Sequence, residues 1–169
     1  MEEQQSNNHK EFVGINQLKE KHHLQIENFE IWAKNRNWSE FHNSHYDWWT
    51  FPIKAPSSYG FAYSVFEHEI NQLKADAEFV IKYLKGVELL MLSWGWEIYH
   101  EKPVNEPDKD QTWHGWPIRL HKCANSLEQF GFEKELKSVV KYARYLIEKG
   151  ISFSYNGKDL ADYFQNKVF

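Results

Sequence analysis

The chain has 169 residues, a formal net charge of −4, a single cysteine and an aromatic share of 17% that includes eight tryptophans. A chain of this length fits one domain that buries about 70% of the surface of its unfolded form, so neither a metal nor a disulfide is required to hold a core. The negative balance offers no general attraction to phosphate backbones, and Cys123 has no partner for an internal bridge. The longest apolar run, 87–96, is interrupted by Glu88 and falls well short of the ~20 residues of a membrane span.

Residues 1–10 are polar and aperiodic and read as a flexible tail, leaving 11–169 as a single helical domain. Over 16–36, Leu18, Ile26, Phe29, Trp32 and Ala33 recur at helical spacing, with most charges off that face. His22 and His23 are neighbours there, and adjacent helical positions diverge by about 100°, so at least one is expected to face solvent. The segment 39–53 holds two histidines, two acids and five aromatics, and stops at Pro52. It reads as one short helix, capped by Ser39 and closing near Phe51 because proline has no N–H to continue it.

Residues 54–60 carry turn chemistry, and from Ser64 two helices or one bent one are expected, with Asp76 as a cap and Gly95 as a stop. The stretch 101–112, with two prolines and four acids, is expected to be an exposed loop and the site of greatest mobility. Pro117 opens a helix over 117–130, Gly150 ends another over 133–149, and the last runs over 158–166 after a short connection at 152–157. The expected fold class is all-α: a single-domain compact bundle of about six to seven helices with an aromatic-rich core. The pairs Trp48/Trp49, Trp94/Trp96 and Trp113/Trp116 are expected to meet in one dry interior.

His42 and His45, three apart on the expected helix, could face one ion with Asp47 completing the site, and Glu67 or His68 could supplement it. That is the alternative reading, a metal-assisted enzyme. No second tight cluster of ligands accompanies it, and the sequence carries no phosphate loop, nucleophile elbow, HExxH or CxxC, so no metal or cofactor is expected. Lys134, Lys137, Lys141 and Arg144 form a basic row on one helix, read as a solvated face rather than a nucleic-acid surface. Arg119 lies in the first turn of its helix, where the dipole disfavours a cation and calls for a negative partner. The candidates are Asp47 or Glu97 within the chain, or an anionic group of a ligand.

Three stretches, Tyr46 to Pro52 with Trp49 and Phe51, Met91 to Gly95, and Ile118 to Leu127 followed by Phe130-Gly131-Phe132, resemble in the same order the conserved domain of the opioid growth factor receptor family. Tyr46, Trp49, Phe51 and Pro52 fall at the Tyr, Trp, Phe and Pro of that family's His-x-Tyr-Ile-Gln-Trp-Leu-Phe-Pro motif. Met91-Leu92-Ser93-Trp94-Gly95 resembles its Met-Leu-x-Phe-Phe/Tyr-Gly. The run from Ile118 to Leu127, followed by Phe130-Gly131-Phe132, resembles its Leu-Arg-Ile-Thr-Arg-Ile-Leu-x-Ser-Leu and Leu-Gly-Leu. The likeness covers about 38–135. Ser44 stands at the family's His, Trp48 at its Gln, and Gly115 and Trp116 at its His-Asn pair.

The resemblance implies a helical, non-catalytic module. With the surplus of aromatic residues it points to a peptide or protein partner bound near Tyr46, Trp48, Trp49 and Arg119. No membrane or nucleic-acid partner is expected, and the compartment is expected to be cytoplasmic. The sequence leaves the oligomeric state open.

Overall fold

The computed structural model describes residues 5–169. Eight helices appear among them: α1 Ile15–Lys34, α2 Ser39–Asn43, α3 Asp47–Thr50, α4 Glu67–Lys74, α5 Ala77–Ser93, α6 Pro117–Phe130, α7 Glu133–Glu148 and α8 Ala161–Gln165. Two antiparallel pairs of two-residue strands accompany them, β1 Trp96–Glu97 with β2 Lys102–Pro103 and β3 Ser154–Tyr155 with β4 Lys158–Asp159. The fold is therefore mostly helical and rich in buried aromatics, but not strictly all-α, and it has one or two more helices than the pattern predicts.

α1 lies along α5, and α6 along α7. The first pair is close because residue 86 is glycine: a Cβ there would come within 2.6 Å of the Ile26 Cδ1 atom. Leu18, His22, Ile26 and Phe29 form the buried stripe of α1, at spacings of four, four and three. His22 is thus the inward histidine of its pair, while His23 stays partly exposed and approaches Glu27 at 3.0 Å. The expected cap on α5 is present, with Asp76 Oδ1 accepting from the Phe79 N–H at 3.2 Å. Asp76 also meets Lys19 Nζ at 2.9 Å, tying the start of α5 to α1.

The segment 39–53 departs from expectation. It is two helices, interrupted at Ser44, whose backbone is extended (φ −89°, ψ 153°). Ser39 is not the cap. It is the first helical residue of α2, and its N–H and hydroxyl reach Asp110 Oδ2 at 3.3 and 3.0 Å.

That acid belongs to the stretch expected to be an exposed, mobile loop. The loop is pinned instead. Asp108 Oδ2 accepts from Trp38 Nε1 at 2.8 Å and from Arg36 Nε at 2.6 Å. Gln111, 3% exposed, donates to the Leu92 carbonyl at 2.9 Å.

Part of the expected tail is also anchored. The Asn7 N–H donates to Glu69 Oε1 at 2.8 Å, its side chain donates to the Phe61 and Ser64 carbonyls, and His9 stacks on Phe61 at 3.7 Å. Residues 1–4 of that tail lie outside the described residues. At the other end, β3 and β4 shorten the last helix, turning through Asn156 and Gly157 at φ 48° and 77°. An Asn-Gly pair favours this tight hairpin turn because both residues accept positive φ.

The three tryptophan pairs do not converge. Trp94 and Trp96 are buried against Tyr142 on α7, with Trp113 at 4.9 Å from Trp94. Trp48 and Trp49 lie together elsewhere, partly exposed beside Tyr59 and Tyr63. Trp116 stands apart from Trp113, beside His42 and His45.

Candidate functional site

Arg119 organises the region in which the predicted site residues meet. It projects from the first turn of α6 into the gap between α2 and α3, is 1% exposed, and places Nε 2.6 Å from Asp47 Oδ1. Its Nη2 donates to the Ser44 carbonyl at 2.8 Å, and its Nη1 donates to the Phe41 carbonyl and to the Tyr46 hydroxyl, the latter at 3.0 Å. Tyr46 in turn donates its hydroxyl to the Phe41 carbonyl. The guanidinium carbon lies 4.3 Å from the Tyr46 ring centroid and 4.6 Å from that of Trp116.

The break between α2 and α3 follows from this arrangement. Were the helix continuous, the Phe41 and Ser44 carbonyls would be taken by backbone N–H groups four residues on; the extended Ser44 frees them for the guanidinium. Asp47 sits in the first turn of α3, where a negative charge is favourable, and it offsets the cation at the start of α6. Tyr46 is fully buried, and burial pushes its hydroxyl well above the usual phenol range, so it stays protonated. Four of the guanidinium N–H directions are satisfied within the chain, so Tyr46 and Arg119 face each other rather than a ligand.

Trp48 and Trp49, the next two residues, face the other way. Their rings lie 5.7 Å apart, Tyr59 stands edge-on to Trp48 at 4.9 Å, and Tyr63 stands edge-on to Trp49 at 5.4 Å. Tyr59 is 50% exposed. Two cations lie over this group: Lys21 Nζ is 4.3 Å from the Trp49 ring and 5.4 Å from that of Tyr63, and Lys122 Nζ is 5.5 Å from the Trp48 ring. Burial, more than its neighbours, draws the Lys122 amine below the usual lysine range. Trp49 Nε1 donates to Gln25 Oε1 at 3.1 Å, which fixes its ring against α1. The cleft between Trp48, Tyr63 and Lys122 holds only about 10 Å³, so this is a surface and not a pocket.

The sequence does not single out the tyrosines and lysines of this face. Tyr59 and Tyr63 sit in a turn, and Lys21 and Lys122 come from α1 and α6, so no spacing connects them. The one signal is the run of three aromatics, Tyr59, Phe61 and Tyr63, beside the turn residues of 54–60.

The proposed metal ligands are not brought together. Asp47 is engaged by Arg119, and Glu67 by Lys54. His42 pairs instead with His114, ring centroids 4.9 Å apart, and both His42 and His45 lie edge-on to Trp116, at 5.2 and 5.4 Å. Among the described residues no group of three His, Cys, Asp or Glu side chains is placed to hold a metal ion. Cys123 is buried, and burial pushes its thiol well above the usual range, which leaves it without thiolate character. The basic row is not continuous either: Arg144 turns to the Phe164 carbonyl at 2.9 Å and Lys134 lies over Tyr99 at 5.2 Å. No helix among the described residues is long and apolar enough to cross a membrane.

No family model matches the chain, and neither a curated protein nor a solved structure does.

Proposed function

We propose that this chain is a binding module that takes a segment of a partner protein across the face built by Trp48, Trp49, Tyr59 and Tyr63. The observation that carries this reading is the pair of adjacent indoles left partly exposed while the residues just before them are sealed inside. Partly exposed Trp and Tyr rings gathered at one place supply large contact area with few rotors to immobilise, which is why such rings anchor protein interfaces. Lys21 and Lys122, poised over the rings, favour a partner segment that sets acidic side chains beside apolar ones. The shallow relief suits a segment lying across the surface rather than a small molecule.

The likeness to the opioid growth factor receptor domain, which rests on three sequence motifs, belongs with this reading as a proposal and not as a ligand assignment. A cytoplasmic, reducing setting is proposed with it, from the lone buried Cys123. A metal-assisted enzyme has less support, because its acid is committed to Arg119.

Selection of peptides from a random displayed library against the purified chain tests the proposal. Binders are expected to share acidic and apolar positions and to lose affinity for Trp48→Ala and for Lys122→Glu. Binders that hold both variants as tightly as the parent would overturn it.

A further inference from the structure

A second site stands apart from the Trp48 face. The end of α5, the pinned loop 103–113 and the last turns of α7 border a half-open cavity of about 320 Å³. Its walls are aromatic: Trp94 and Trp113 meet edge-to-face at 4.9 Å, and Tyr142 lies 6.2 Å from Trp94 and 6.3 Å from Trp113. They are also held in place. Tyr142 donates its hydroxyl to the Trp94 carbonyl at 3.3 Å, and Gln111 ties the loop to the last turn of α5 through the Leu92 carbonyl. The cavity is therefore preformed, and a ligand entering it orders little that is not already ordered.

Its charge sets it apart from the other cavities. The one between α1 and α5, about 300 Å³, is lined by Lys19 and Lys82 together with Glu20 and Glu78. Another beside Tyr99, about 400 Å³, balances two lysines against two glutamates. In the aromatic cavity Lys149 is the one charged residue among the described lining residues. Its Nζ lies 4.4 Å from the Tyr145 ring at the mouth, so it reaches the opening along an aromatic wall.

We propose that this cavity binds a small planar aromatic anion, a carboxylate or sulfonate on one or two fused rings. The rings lie against Trp113 and Tyr145, over a floor made by the buried Trp94 and Tyr142, and the acid meets Lys149. The cation is needed there because α7 ends at Glu148, and the carbonyl end of a helix is by itself unfavourable to an anion. Aromatic walls alone would accept any flat apolar molecule; the single lysine makes the sign of the ligand's charge the selective feature.

The test uses three probes with one ring system and different charge: indole-3-acetate, neutral indole and cationic tryptamine. Binding is followed by 15N NMR of the tryptophan indole N–H signals and by calorimetry. Indole-3-acetate is expected to bind at least about tenfold more tightly than tryptamine and to move the Trp94 and Trp113 signals. Lys149→Glu, an exposed change whose melting temperature is checked first, is expected to reverse that order. Three results would each overturn the proposal: no binding of indole-3-acetate, equal binding of all three probes, or signal changes confined to Trp48 and Trp49.

Discussion

Tyr46 and Asp47 are sealed inside, and Trp48 and Trp49, the very next residues, are partly exposed in an aromatic face with Tyr59 and Tyr63. All four lie within one turn of chain, yet their environments are opposite. The difference comes from what each pair meets. The first two meet a buried guanidinium that fixes their polar atoms. The second two meet only lysine stems and tyrosine edges, which pack against an indole without enclosing it. A rigid, fully bonded interior immediately beneath an aromatic surface is what holds that surface in one shape.

The largest way to break this contrast is to remove its interior half. Arg119→Ala leaves Asp47 charged and unpaired below the surface and takes the guanidinium donor from the Ser44 carbonyl, and it is expected to cost about 3–5 kcal/mol of stability. Thermal or urea unfolding measures it, and an unchanged midpoint would refute the structural role of the guanidinium. Since the α2–α3 break is made by that contact, indole signals from Trp48 and Trp49 are expected to lose their dispersion at temperatures where the rest of the fold persists.

Acid is expected to come next. Burial is the main cause that holds the His22 imidazole down to about 3, from 6.5; Lys82 adds to the depression, and the Thr50 backbone opposes it. The unfolded chain therefore binds a proton that the folded one refuses at any pH between these values. The stability involved is complete above about pH 6.5 and falls as pH drops towards 3, by up to about 1.4 kcal/mol per unit. Unfolding followed from pH 7 to 5 checks it. His22→Leu is expected to flatten the slope over that interval, and an equal slope in both proteins would count against the buried, neutral histidine.

Smaller again is the loop that closes the other side of α2. Asp110→Ala removes the acceptor for the Ser39 N–H and hydroxyl and is expected to cost about 1 kcal/mol, with faster hydrogen exchange over 36–41 as its signature. The smallest effect on stability is expected on the exposed half. Tyr59→Ala, at a side chain half in water, is expected to lower stability by no more than about 1 kcal/mol while weakening peptide binding. A loss as large as that of Arg119→Ala would erase the distinction between the sealed interior and the aromatic surface above it.

Much of the helical content was legible in the chain. Pro117 marked the start of α6 and Asp76 the cap of α5, because a missing N–H and a short carboxylate act on their own neighbours whatever surrounds them. The hairpin at Asn156 and Gly157 has a turn signal in that pair, but its two-residue strands are too short to show alternation. The Arg119–Asp47 contact was among the alternatives that the sequence left open. The split of 39–53 was not, because its cause is a carbonyl-to-guanidinium bond from a residue more than seventy positions away.

The chain by itself determined where turns of helix start and stop, which face of α1 is apolar, and that aromatic rings would dominate the interior. Those properties follow from bonds and periodicities spanning a few residues. Only the tertiary structure decided which tryptophans are buried, that Asp108 and Asp110 hold down an otherwise polar loop, and that Lys21, Tyr59 and Lys122 share one surface with Trp48 and Trp49. Each of those outcomes depends on which distant groups compete for the same donor, acceptor or apolar space, and that competition is settled when the helices pack.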